Sequence, residues 1–299
     1  MANLKEIRTR ISSVKSTQQI TSAMKMVSAA KLRKSQTAIT KLRPYSQKMS
    51  GIMGRLEGAI TDDMPFARKT KNKSENILLV VLTSNKGLCS TFNSSVIKLT
   101  AKRINQYIGQ GHKIILMSYG KKGDSVFKKF KNINYLGTND EIWDLLTFDN
   151  ISKEANGFMN SFLQQEYDKI EIIYNQFKNA ATQIPTIENF LPLSNNVFNQ
   201  EIDKIGDNTL GGGYNKDYIF SPSREAIIST VIPQSLKIQF YKCFLDSFTS
   251  EHGARMSSMN KATDNAASLL KDLTLRYNKQ RQSDITNQII EVSNGANAV

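Results

Sequence analysis

The feature that most limits how this chain can fold is a spacing shared by its two ends. From Leu4 to about Leu56, apolar residues recur in steps of three and four at Leu4, Ile7, Ile11 and Val14. After a polar gap they return at Met24 and Val27, then at Ala38, Leu42, Tyr45, Met49, Ile52 and Leu56. Such steps form the seam of a helix that packs against another helix. Near the other end the alternation runs through Met256, Met259, Thr263, Ala266, Leu270, Leu273 and Tyr277, with Ile285, Ile289 and Val292 continuing an apolar face. Unbroken, helices over Leu4–Leu56 and Pro222–Val292 would reach roughly 80 Å and roughly 105 Å at ~1.5 Å per residue. Rods of that length are too long for one compact domain to enclose, so the two ends are expected to pair as an antiparallel coiled coil. Pro44 and Pro233 should bend them locally.

Charge separates the two ends. The chain has 299 residues and a formal charge of +14. Between Met1 and Leu56 there are twelve basic residues against the single acid Glu6, whereas from Pro222 onward there are nine basic and seven acidic. The excess belongs to one helix whose other face is a packing seam, which points to an acidic partner surface.

The middle of the chain changes period. Ile77 to Thr83 is a continuous apolar run closed by Ser84-Asn85-Lys86-Gly87, the pattern of a buried parallel strand and its turn. Helix is expected over about 94–107, strand over Lys113–Tyr119, a short basic helix over Asp124–Phe130 and a brief strand near Ile133–Leu136. A further helix over about 152–165 precedes a strand at Lys169–Phe177. Thr182–Leu193, with Pro185 and Pro192, suits an edge strand. Ser194–Lys216, with its triple glycine at Gly211-Gly212-Gly213, reads as loop. Asp217–Phe220 suits a last strand, and Ser221-Pro222 is a helix-start signal. The fold class is therefore α/β: a small Rossmann-like domain with a mostly parallel sheet, joined to the coiled coil. The expected segments are an N-terminal shaft helix over 1–60, a linker over 61–75, the α/β domain over 76–220 and a C-terminal shaft helix over 221–299.

Reactive constellations are scarce. Gly120-Lys121-Lys122-Gly123-Asp124-Ser125 lacks the spacing of a phosphate-wrapping loop. Ser84 to Cys89 follows a strand, where an α/β domain often binds ligands, although a plain strand-to-helix turn has the same sequence. Cys89 and Cys243 have no CxxC spacing and read as two buried thiols in a reducing compartment; His112 and His252 are equally isolated. The longest aliphatic run, Ile77–Leu82, is far short of the roughly 20 residues of a membrane span. No catalytic residue, cofactor or metal is expected, and any membrane association should come through partners.

Particular residues then carry a resemblance. Lys5-Glu6-Ile7-Arg8, Thr17-Gln18-Gln19-Ile20-Thr21, Ala23-Met24-Lys25-Met26-Val27 and Lys31-Leu32-Arg33-Lys34 closely resemble the start of the gamma subunit of F-type ATP synthases. Ala262-Thr263-Asp264-Asn265-Ala266, Tyr277-Asn278-Lys279, Arg281-Gln282, Ile285-Thr286 and Gly295-Ala296 resemble that family's tail. Gly87-Leu88-Cys89 and Gln183-Ile184-Pro185-Thr186 resemble its middle domain. The resemblance implies a non-catalytic rotor shaft inside a hexamer of alpha and beta subunits. Its α/β domain would stand beside the epsilon subunit and the ring of c subunits, on the inner, cytoplasmic face of a bacterial plasma membrane. It implies that Met24 and Lys25 meet an acidic lever of the beta subunits, that Arg281, Gln282 and Thr286 form a polar catch with beta subunits, and that Tyr218 and Phe220 lie near the c ring. Gln288, Ser221, and Asn85 with Ser90-Thr91 depart from the family pattern.

Each of these residues also has a plainer reading: Met24 as seam, Arg281 and Gln282 as solvated surface, Tyr218 and Phe220 as packing of the small sheet. The rival function is a basic coiled coil on nucleic acid, whose affinity would fall steeply with salt. An α/β enzyme acting through the loop after Thr83 is a weaker third.

Overall fold

In the computed structural model, residues 4–56, 66–67, 74–193 and 224–297 are described. The order is α1 (Leu4–Leu56), β1 (Asn76–Leu82), α2 (Phe92–Gly109), β2 (Lys113–Tyr119), α3 (Lys121–Phe127), β3 (Asn134–Thr138), α4 (Phe148–Leu163), β4 (Lys169–Phe177), β5 (Gln183–Leu191) and α5 (Arg224–Asn297), with one short 3-10 turn at Glu141–Trp143. Contacts divide the chain into two compact units, Met1–Ala30 with Arg255–Val299, and Lys31–Ala254.

Strands run in the order β3-β2-β1-β4-β5. β1 pairs in parallel with β2 and β4, β2 with β3, and β5 closes the edge antiparallel to β4. β1 is apolar throughout because both of its faces are covered. Leu78, Val80 and Leu82 enter a core with Ile151, Ala155, Met159 and Phe162 of α4 and Leu236, Phe240 and Phe244 of α5. Ile77, Leu79 and Val81 face Val96, Ile104 and Tyr107 of α2, together with Phe127 of α3. Residues 232–244 of α5 are thus a layer of the α/β core, knit by rings: Phe240 lies 5.3 Å from Phe190 and Phe244 5.0 Å from Tyr119.

Strands β2 and β4 have the bounds the apolar runs predict, and the Pro185 stretch is the edge strand. Element ends move where local chemistry decides them. α4 starts at Phe148, four residues before its expected start, because Thr147 caps it: the hydroxyl accepts from the Asn150 amide at 3.4 Å. Thr147→Ala should lower stability by about 1 kcal/mol in a denaturant melt. α3 starts at Lys121 rather than Asp124, directly after the turn at Gly120. The expected strand at 217–220, the loop at 194–216, the Ser221-Pro222 start and most of the 61–75 linker lie outside the described residues.

In the unit formed by the two chain ends, α1 turns Leu4, Ile7, Ile11, Val14, Gln18, Thr21, Lys25 and Ser28 inward or half inward. The three-four spacing therefore never breaks; it passes through polar residues where the apolar ones stop. Val27 is 59% exposed, a correction to its expected place in the seam, because it stands one residue, about 100° of helix, from Ser28. Further along α1 Tyr45 is also exposed, at 48%, and half-buried Leu42, Ser46 and Met49 carry the stripe instead. The side chains of Ile52 and Leu56 lie outside the described set.

α5 presents Met259, Thr263, Ala266, Leu270, Leu273 and Tyr277, as predicted, and then Gln280 and Asp284. The helices pair antiparallel: the Lys25 ammonium donates to Asn260 Oδ1 at 2.5 Å, and the hydroxyls of Thr21 and Thr263 meet at 2.9 Å. That register sets Leu4, where α1 begins, level with about residue 281 of α5. Among the described residues no helix of this unit faces α5 beyond that level, and Ile285, Ile289 and Val292 are 47%, 63% and 74% exposed.

Candidate partner-contact surfaces

Met24 and Lys25 lie on the polar part of the α1 seam, both half-buried. The Ser28 hydroxyl donates to the Met24 carbonyl at 2.8 Å. Lys25 is turned onto Asn260, whose amide nitrogen donates to Asp264 Oδ2 at 3.2 Å. Beside them Met26 is 64% exposed, and along α1 the cations Arg8, Arg10, Lys15, Lys31, Arg33 and Lys34 are exposed. Exposed cations on a helix with few acids suit an acidic partner.

On α5, Arg281, Gln282 and Thr286 are all exposed, and the Thr286 hydroxyl returns its proton to the Gln282 carbonyl at 2.8 Å. They stand about level with Leu4 of α1 in the register of the pair. Gln288 is exposed on the same stretch. Tyr218, Phe220 and Ser221 lie outside the described residues. The structure thus places Met24 and Lys25 together, and Arg281, Gln282 and Thr286 together. Asn260 and Thr21 are the seam partners that a search for apolar residues misses; the signal for them is the unbroken three-four spacing, which on α5 already includes Thr263.

The carboxyl ends of the parallel strands, where an open α/β sheet usually receives ligands, are filled by the chain itself. Between β1 and β4, the two strands that flank the reversal of strand order, buried Asn175 donates to the Phe92 carbonyl at 2.8 Å and accepts from Ser95 at 3.3 Å. Ser250 of α5 donates to the Asn175 carbonyl at 3.0 Å, and Cys89, Phe92 and Ala254 pack together beside them. Between β1 and β2, the Gly120–Ser125 turn directs its amides inward. Lys121 donates to Asn85 Oδ1, Lys122 to the Ser84 carbonyl and Gly123 to Thr83 Oγ1, at 3.2, 3.1 and 2.9 Å. A phosphate cradle needs those amides free.

The Asn93 side chain braces the Ser84–Cys89 loop, accepting from the Ser84 amide at 3.0 Å and donating to Cys89 Sγ at 3.2 Å. Both cysteines are buried and outside any disulfide, and burial pushes the Cys243 thiol well up, which keeps it protonated and unreactive. Among the described residues, no group of three His, Cys, Asp or Glu side chains is placed to hold a metal ion.

Known proteins agree with this construction along the whole chain. A family model described as ATP synthase matches residues 3–299. The ATP synthase gamma chain of Flavobacterium johnsoniae is 50% identical over 299 residues, covering 100% of this chain and 99% of the relative. That of Christiangramia forsetii is 47% identical over 300 residues, with the same coverage. Among solved structures, a chain of the Euglena gracilis mitochondrial ATP synthase OSCP/F1/c-ring assembly superposes with a TM-score of 0.64 at 22% identity, covering 99% of this chain and 94% of that one. A chain of the Euglena gracilis rotor gives a TM-score of 0.61 at 21% identity, covering 94% and 98%. Fold, length and sequence coincide from end to end: the chain belongs to the ATP synthase gamma chain family.

Proposed function

We propose that this chain is the central rotor shaft of a bacterial F-type ATP synthase, a non-catalytic subunit that couples rotation of a c ring to successive conformational changes in catalytic beta subunits. The observation that carries the reading is the antiparallel pairing of the chain's two ends through Lys25–Asn260 and Thr21–Thr263. A pair of unlike helices has no threefold symmetry, so each of three surrounding beta subunits meets a different face. A shaft can shift a subunit between states only by contacting those states unequally, and a turning asymmetric pair supplies that difference in sequence.

The partners in this reading are a hexamer of alpha and beta subunits around the helix pair, with the epsilon subunit and the c ring beside the α/β unit. Met24 and Lys25 meet an acidic lever of the beta subunits, and Arg281, Gln282 and Thr286 form the polar catch. Tyr218 and Phe220 serve the c-ring side. The one-sided charge of α1 supports the lever contact, and the exposed apolar end of α5 supports burial in a collar of subunits. The filled sheet edge supports a role without catalysis. Among the described residues no helix is long and apolar enough to cross a membrane, in keeping with attachment to the inner face of the plasma membrane through partners.

The test is co-expression with the alpha and beta subunits. Stoichiometric recovery with them, and ATP-driven rotation of a bead fixed to the α/β unit, are expected. Salt-sensitive recovery with nucleic acid in their place would favour the basic coiled-coil alternative. Lys25→Glu places a carboxylate against an acidic lever, and repulsion at such a contact costs several kcal/mol. ATP-driven proton pumping by vesicles carrying the complex should fall at least about tenfold.

A further inference from the structure

Lys25 is the half-buried cation of the α1–α5 seam, and its surroundings within that seam are specific. Its ammonium donates to Asn260 Oδ1 at 2.5 Å, short even for a charge-assisted bond, and the other end of the same carboxamide donates to the exposed Asp264 at 3.2 Å. The carboxamide is therefore oriented from both sides: its oxygen must face the cation and its nitrogen the anion. An ammonium has three N–H groups, and Asn260 is its one hydrogen-bond partner among the described residues, which leaves two for another acceptor. A free lysine is among the most mobile of side chains, and holding it in place costs entropy that any partner would otherwise have to meet.

We propose that Asn260, anchored by Asp264, is a positioning residue that preorganises the Lys25 ammonium for an acidic side chain of the surrounding subunits. This rests on the reading of Lys25 as a partner contact given above, and it adds the residues that prepare that contact. The dyad restricts the ammonium through one N–H and keeps its charge, so the two remaining N–H groups meet a carboxylate without first losing their freedom. The neighbouring Thr21–Thr263 bond makes a similar crossing of the same seam and shares no hydrogen bond with Lys25 or Asn260. It therefore serves as an internal control for mere support of the helix pair.

The experiment uses the assembled complex in membrane vesicles, with ATP-driven proton pumping as readout and assembly yield checked for each variant. Lys25→Met, Asn260→Leu, Asp264→Ala, Thr263→Val and the Lys25→Met/Asn260→Leu pair are compared. Removing the orienting partner should slow pumping about two- to tenfold in Asn260→Leu, with a smaller loss in the same direction in Asp264→Ala. Asn260→Leu should add nothing once Lys25 is methionine, and Thr263→Val should slow pumping less than Asn260→Leu does. Pumping impaired by Lys25→Met but no more by Asn260→Leu than by Thr263→Val overturns the positioning role while Lys25 stays a contact. Normal pumping in Lys25→Met removes Lys25 from the contact surface and overturns both.

Discussion

Replacing Gly120 with alanine is expected to remove about 2–6 kcal/mol of stability, from the strain of an unfavourable backbone and from overpacking together. Gly120 has φ +122°, a region side chains rarely enter. A Cβ there would stand 2.2 Å from the Thr83 carbonyl oxygen and 2.8 Å from Thr83 Oγ1. Thr83 cannot retreat: its amide is bound to the Tyr119 carbonyl at 2.8 Å, and its hydroxyl takes the Gly123 amide at 2.9 Å. The clash is therefore between two backbones that the parallel pairing of β1 and β2 holds together. Domains are stable by only about 5–15 kcal/mol, so the variant should lose soluble yield and melt far below the parent. Gly157→Ala is the contrast. That glycine lies on the exposed side of α4 with nothing within 4 Å of an added Cβ, and the substitution should raise stability by about 0.5–1 kcal/mol. Equal melting of the two variants would show that the Gly120 contact is not as tight as described.

What could be read from residues alone divides by mechanism. Strands buried on both faces announce themselves, because a sheet covered on two sides needs a continuous apolar run, and Lys113–Tyr119 and Lys169–Phe177 therefore have the bounds predicted. The α1 seam was legible in its spacing but not in its chemistry. Apolar residues point to Val27 and Tyr45, whereas the helix keeps its step and turns Gln18, Thr21, Lys25 and Ser28 inward or half inward. Polar side chains can occupy a seam when a partner across it satisfies them, and Asn260 and Thr263 could not be assigned to that task without the register. The exposure of the end of α5 is not legible in the spacing for a related reason. Ile285, Ile289 and Val292 are apolar and correctly spaced, but spacing does not say where the opposing helix starts. Nor could periodicity separate the stretch of α5 that lies on the sheet from the stretch that pairs with α1. Both show three-four steps, and only the aromatics at Phe240, Phe244 and Phe248 hint at a broader apolar surface. Among the proposed contact residues, the exposure of Arg281, Gln282 and Thr286 follows from the same register.

A second large effect is expected from Glu171 on β4, whose side chain is 3% exposed. Its carboxylate accepts from Arg103 at 2.6 and 2.9 Å, from Lys169 at 2.9 Å and from the Tyr107 hydroxyl at 2.5 Å. Burial alone would raise its pKa, but the bonds from Arg103 and Tyr107 and the charge of Lys169 outweigh that and hold it below the ordinary value. Glu171→Ala leaves the guanidinium and the ammonium without their shared counter-charge in a mostly buried site, and should cost about 3 kcal/mol near neutral pH. Because the folded pKa is depressed, the stabilisation is fully present above the unfolded value of about 4.3 and is lost as pH falls through the folded one. The Lys169 pKa is raised, so its share is present below the unfolded value of about 10.4 and fades as pH rises through the folded one. The gap between parent and variant in denaturant melts should thus be flat from about pH 5 to 10 and close below about pH 4. Glu171→Gln keeps an acceptor for Arg103 without the charge, so it should lose less and show no such acid dependence. A parent–alanine gap that stays constant down to pH 3 would mean that the carboxylate's charge contributes nothing, and that Glu171 acts by shape and hydrogen bonding alone.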